Sequence, residues 1–194
     1  MQAPHTQQTP QLVARPSGNI FLVGMMGAGK TTVGKLLAKQ LGKQFIDSDD
    51  EIQKRTGVTI PHIFDVEGEV GFRVREAAVI QDLVRLDNIV LATGGGAILN
   101  AENRAALQKN GVVVYLKSTV HDLWQRTRND RNRPLLQTAD PQATLKLLFE
   151  QRDPLYAEIA SVVMHTGKRS ASNLVLSFQQ ELNRTTATTH SNSS

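Results

Sequence analysis

The chain has no cysteine in its 194 residues. Disulfides and thiolate metal sites are therefore excluded, and a reducing compartment is the simpler setting. The five histidines show no metal-ligand spacing. No apolar run approaches the ~20 residues needed to span a bilayer. Residues 1–18 lack the apolar core of a secretory signal, so a cytoplasmic location and no membrane partner are expected. There is no internal repeat and no nucleophile elbow. Aromatic residues are only 5% of the chain. A net charge of +4 and a pI near 9.6 raise nucleic acid as a partner. The arginines are not interleaved with aromatics on one exposed face, however, so no nucleic-acid partner is expected. Several gather instead at Arg126, Arg128, Arg131 and Arg133, a cluster that an anionic small molecule explains at least as well.

What is present is organised around one stretch. Gly24-Met25-Met26-Gly27-Ala28-Gly29-Lys30-Thr31-Thr32 fits G-x-x-x-x-G-K-[ST]. Its context agrees with a phosphate loop. Ile20-Phe21-Leu22-Val23 upstream reads as a buried parallel strand. Val33, Leu36, Leu37 and Leu41 downstream recur at helical spacing, with Gly42 as a stop. The chemistry accounts for each residue type. Gly27, Ala28 and Gly29 turn backbone N–H groups inward toward phosphate. The helix that follows adds its positive end. Lys30 is a flexible point charge for the β and γ phosphates. Thr31 offers Mg²⁺ a hard oxygen, and Thr32 continues the cradle.

The remaining order is strand–helix alternation. Gln44-Phe45-Ile46 reads as a second strand ending in Asp47-Ser48-Asp49-Asp50. In an extended chain Asp47 and Asp49 share one side, at the sheet end where ligands bind in open α/β sheets. Asp50 is expected to cap a helix from Glu51 to Thr56. Thr59 and Pro61 open a long helix that breaks at Glu67-Gly68 and carries Arg73 and Glu76 on one face. Ile89 to Ala92 is a strand running into Thr93-Gly94-Gly95-Gly96, a run suited to close approach of backbone to a ligand. That strand has no terminal aspartate, so a metal carboxylate must come from elsewhere, and Asp47 is nearest. Asn100 caps a helix stopped by Gly111. Val112 to Leu116 is a strand, and Ser118 caps the helix bearing Trp124 and Arg126. Residues 128–140 read as an arginine-bearing lid loop. A helix over 144–156 carries Arg152, with Pro154 disturbing its last turn. Ser161 to Met164 is a fifth strand. A basic turn at Lys168-Arg169 and a last helix to about Asn183 complete the chain.

These alternations predict one three-layer α/β/α phosphate-loop NTPase domain over 19–183, with a five-stranded parallel sheet and a lid loop. Residues 1–18 and 184–194 are expected to be disordered tails.

The set as a whole resembles the shikimate kinases, within the nucleoside-monophosphate-kinase-like group. The residues that carry the resemblance are Gly24 to Thr31, Phe45-Ile46-Asp47-Ser48-Asp49, Phe72-Arg73 with Glu76, Gly94-Gly95-Gly96-Ala97, Arg133-Pro134-Leu135-Leu136, and Arg152-Asp153-Pro154-Leu155-Tyr156. The resemblance implies transfer of the γ-phosphoryl group of MgATP to the 3-hydroxyl of shikimate, a step toward chorismate and the aromatic amino acids, by a monomer. It implies catalytic roles for Lys30, Asp49 and Arg133. Gly27 to Thr32, Arg126, Arg133 and Arg169 would bind the nucleotide. Asp49, Arg73, Gly95 and Arg152 would hold shikimate, the two arginines on its carboxylate. Thr31 and Asp47 would serve Mg²⁺. The turn at Arg169 lacks the proline frequent in the family. Rival readings are another small-molecule kinase, such as a gluconate or nucleotide kinase, and a regulatory nucleotide switch without acceptor chemistry.

Overall fold

A computed structural model describes residues 18–130, 133–167 and 169–180. The predicted tails except Gly18, together with Arg131, Asn132, Lys168 and the end of the last helix, lie outside the described residues. Five strands form one parallel sheet: β1 Asn19–Val23, β2 Gln44–Asp47, β3 Ile89–Ala92, β4 Gly111–Lys117 and β5 Val162–His165. Their spatial order is β2-β3-β1-β4-β5, and every pairing is parallel. The central strand β1 is buried throughout, as its unbroken apolar run requires. Beyond β1 the chain must pass from one half of the sheet to the other, which opens a crevice at the strands' carboxyl ends.

The helices are α1 Lys30–Leu41, α2 Ser48–Thr56, α3 Ile60–Leu83, α4 Ala101–Asn110, α5 Val120–Thr127 and α6 Pro141–Ile159. A further helix, α7, runs over 171–180. Their apolar stripes pack on the sheet: Val33, Leu37 and Leu41 of α1, Val79 and Ile80 of α3, and Leu145 and Tyr156 of α6 are all buried. None of the described helices is long and apolar enough to cross a membrane.

Several boundaries fall where local chemistry dictates. Gly42 ends α1 in the left-handed region. The Thr59 side chain caps α3, and Asn100 caps α4 by accepting from the amides of Glu102 and Asn103. The expected break in α3 is real: Gly68 has φ 69° inside the helix.

Three local expectations are corrected. The cap of α2 is Asp47, not Asp50, because the chain turns helical immediately after β2; Asp47 Oδ1 accepts from the Asp49 amide at 3.1 Å. Asp47 and Asp49 therefore meet as cap and first turn, not as alternate residues of an extended strand. The cap of α5 is Thr119, not Ser118, since Thr119 Oγ1 accepts from the Asp122 amide. Finally, α6 is longer at both ends than the expected 144–156, starting at Pro141 and running through Pro154 to Ile159.

Candidate active site

The phosphate loop joins β1 to α1. Gly29 stands at the N-cap of α1 with φ 95°, a left-handed conformation open mainly to glycine. With no side chain capping that end, the first amides of α1 stay open to an anion. Lys30 folds over the loop, and its ammonium donates to the carbonyls of Gly24 at 2.7 Å and Met25 at 2.9 Å. Burial lowers its pKa to about 8, against the opposing pull of Asp49 and Asp47. Thr31 Oγ1 donates to Asp47 Oδ2 at 2.8 Å. A hydroxyl and a carboxylate oxygen thus sit side by side at the mouth of the loop.

Next to the loop lies a cavity of about 680 Å³. Asp49, Arg73, Gly95, Arg133 and Arg152 all line it. They come from α2, α3, the turn after β3, the segment before Pro134, and α6. Only the tertiary fold brings them together.

Asp49 is the most perturbed carboxylate. Burial first, then the neighbouring charges of Asp47 and Glu76, raise its pKa to about 7; Lys30 and Arg133 pull the other way. Its Oδ1 is buried with no hydrogen-bond partner. Arg73 is held by two acids of its own helix, with Nη1 2.7 Å from Glu76 Oε2 and Nη2 2.7 Å from Glu69 Oε1. Its guanidinium lies against Gly96, in space a Cβ would fill. Glu76 is only 1% exposed, so the Arg73–Glu76 pair is no solvated surface pair. Burial raises the Glu76 pKa.

Arg152 is the largest fully buried side chain among the described residues. Its Nε and Nη1 have no hydrogen-bond partner, and burial lowers its pKa. Two unpaired nitrogens on a buried guanidinium are costly, and their planar geometry suits an anion. Arg133 Nε sits 2.8 Å from Asp130 Oδ2 at the rim.

The glycine run is held from two sides. The Gly94 amide donates to the buried Ser48 hydroxyl at 2.8 Å, and the Gly95 carbonyl accepts from the Tyr156 hydroxyl at 2.5 Å. On the nucleotide side, Arg126 bridges the phosphate loop and the β5–α7 turn, donating to the Gly27 carbonyl at 3.1 Å and the Gly167 carbonyl at 2.7 Å. Arg169 lies exposed in that same turn, its amide donating to the Thr166 carbonyl.

Sequence reasoning gave no site role to Glu76, Gly94, Met26 or Tyr156. Nor did it find the apolar wall of the cavity, where Phe64 and Phe72 stack with ring centres 4.8 Å apart. Phe72 entered the sequence reading only through the motif Phe72-Arg73 with Glu76.

A phosphate loop beside a cavity lined by arginines and a buried acid defines a small-molecule kinase whose acceptor is an anion with hydroxyl groups. The comparisons narrow this. The shikimate kinase family model matches residues 26–183. A shikimate kinase of Nitrosospira multiformis is 61% identical over 166 residues, covering 86% of this chain and 85% of that protein. Among solved structures, shikimate kinase from Acinetobacter baumannii in complex with shikimate superposes with a TM-score of 0.84 at 50% identity, covering 87% of this chain and 94% of that one. Shikimate kinase from Aquifex aeolicus gives 0.75 at 35% identity, over 84% and 95%. The chain belongs to the shikimate kinase family.

Proposed function

We propose that this enzyme transfers the γ-phosphoryl group of ATP to the 3-hydroxyl of shikimate, with the acceptor in the 680 Å³ cavity. The observation that supports this best is Arg152: a buried guanidinium with two unpaired nitrogens, facing the same space as Arg73. A planar carboxylate suits two such forks. In this reading Asp49 accepts from a ring hydroxyl through its unpaired Oδ1 and, with a pKa near 7, orients it or takes its proton. Gly95 lets the ring approach the backbone.

The nucleotide lies across the loop, its phosphates on the amides of Gly27 to Thr32. Lys30 leaves its loop carbonyls for the phosphates, and Arg133 comes down on the transferring group with the lid. Arg126 and Arg169 border the base. Positioning and charge neutralisation are the main catalytic terms in phosphoryl transfer. Mg²⁺ fits the Thr31–Asp47 pair in ligand type, since both offer hard oxygens. An Mg²⁺ ion keeps waters and substrate phosphate oxygens in its shell, so two protein oxygens are enough to hold it. When bound, it supplies charge neutralisation on the phosphates. We propose further that the enzyme works as a cytoplasmic monomer.

Arg152→Lys and Arg73→Lys test the clamp. Each keeps the charge but loses the fork. Loss of a hydrogen bond to a charged group costs about 1.5–3 kcal/mol, or roughly ten- to a hundredfold in affinity. The shikimate KM should rise by that factor while ATP binding by calorimetry stays near normal. Unchanged shikimate KM in both variants would remove the clamp.

A further inference from the structure

One helical turn after Arg152 on α6 stands Tyr156, 0% exposed. Its hydroxyl touches more of the site than a core phenol needs to. It donates to the Gly95 carbonyl and lies 3.8 Å from Met25 Sδ in the phosphate loop. Arg152 is its neighbour at i−4, and the two groups influence each other's protonation.

The helix beneath them is built unusually. Pro154 lies between the two residues and has no N–H, so the Glu150 carbonyl lacks its helical donor. Side chains tie this turn down on either flank of the proline. Asp153 accepts from the Tyr115 hydroxyl at 2.6 Å and from Lys117 Nζ at 2.9 Å, both on β4. Tyr156 is fixed to the glycine turn, and its ring packs on Tyr115 with centres 5.0 Å apart. Arg152 is thereby carried on a turn anchored at two points, one of which is the backbone predicted to approach the acceptor ring.

We propose that Tyr156 is a positioning residue for the acceptor: its hydroxyl sets the distance between the Gly94–Gly96 turn and Arg152, so that one shikimate molecule can be held by both. The proposal rests on the clamp role of Arg152 given above. Removing the hydroxyl leaves the Gly95 carbonyl without this donor and frees the turn to shift away from α6.

The test compares Tyr156→Phe, Tyr115→Phe and Arg152→Lys in the full chain. Tyr115→Phe removes a buried hydroxyl from the same ring pair, but Lys117 still holds Asp153 and nothing at Gly95 changes. A lost buried hydrogen bond corresponds to roughly tenfold in binding. The expected result is a rise of about tenfold in shikimate KM for Tyr156→Phe, with ATP affinity unchanged and kcat altered by less. Tyr115→Phe should lower the melting temperature and leave both KM values alone. If the two phenylalanine variants behave alike, or if Tyr156→Phe leaves shikimate KM unchanged while Arg152→Lys raises it, Tyr156 is only core packing. If Arg152→Lys also has no effect, the clamp itself is wrong. Should Tyr156→Phe not fold, 3-fluorotyrosine labelling decides, because the chain has only two tyrosines. The Tyr156 fluorine resonance, the one that survives in Tyr115→Phe, should shift on saturation with shikimate. A resonance that stays in place overturns the proposal.

Discussion

The unpaired Oδ1 of Asp49 and the unpaired Oε1 of Glu76 converge on Gly94, where an added Cβ would lie 2.7 Å from the first and 2.5 Å from the second. Burial raises the pKa of both acids, and the Glu76 charge adds to the rise at Asp49. Both oxygens are buried without a hydrogen-bond donor among the described residues, and in the proposed reading an acceptor's hydroxyls supply it. The close contact makes the glycine at this position a requirement of the site more than of the fold.

Gly94→Ala should therefore fold, since the ends of two side chains can move aside. They cannot move and keep their places around an acceptor. We expect shikimate KM to rise at least about tenfold, the scale of one lost hydrogen bond to a charged group, with ATP affinity unchanged by calorimetry. Normal shikimate kinetics would show that the carboxylate pair is not an acceptor contact.

Asp49 links activity to stability with a definite sign. Its folded pKa of about 7 lies above the ordinary carboxyl value of 3.8. Between those values the folded state holds a proton that the unfolded state has lost, so stability falls as pH rises from about 4 to 7. Asp49→Asn removes that penalty. Its melting temperature should match the wild type near pH 4 and exceed it by a growing margin toward pH 8, while turnover falls to background. Over the same range kcat/KM of the wild type should climb as Asp49 ionises. A variant less stable than the wild type at pH 8 would contradict this assignment.

Lys30→Ala should abolish turnover and keep the circular dichroism spectrum of the parent. The ammonium's partners in this state are two loop carbonyls, which water can replace at the open mouth of the loop. Activity in a folded Lys30→Ala variant would sink the reading of this stretch as the phosphate loop.

The break in α3 is a backbone matter. Gly68 has φ 69° with open space where a Cβ would be. Arg75 reaches back across the break to Glu67, with both nitrogen–oxygen distances under 3 Å, 2.8 and 2.7 Å. With ψ −176° as well, Gly68 lies in a region essentially closed to other residues, so Gly68→Ala costs about 1–3 kcal/mol, or a fall of roughly 2–12 °C in melting temperature for a domain of this size. A larger fall would mean that Gly68 packs as well as turns.

The sequence made much of this legible because the local signals agreed with the final fold. The apolar runs of β1 and β3, the glycine after α1 and the Thr59 and Asn100 caps each carry their own physical cause within a few residues. The phosphate loop and the arginines were legible because their chemistry needs those residue types. What escaped was long-range. Nothing local distinguishes Asp47 from Asp50 as a cap, since either oxygen can serve; the end of β2 decides it. Pro154 reads as a disturbance of the last turn before Tyr156, and anchors on β4 and at Gly95 explain why α6 continues to Ile159. Glu76 and Arg73 look like a surface pair until α3 is laid over the glycine turn. Tyr156 carries no role of its own in the sequence reading, because a sequence does not show which carbonyl a buried hydroxyl will meet.

The most direct measurement of the central claim is a coupled ADP-release assay with ATP and Mg²⁺, run against shikimate, gluconate and nucleoside monophosphates. ADP should appear in proportion to shikimate, with phosphate on its 3-hydroxyl, and should stay at the acceptor-free background with the other compounds. Turnover with gluconate or a nucleotide and none with shikimate would contradict the account.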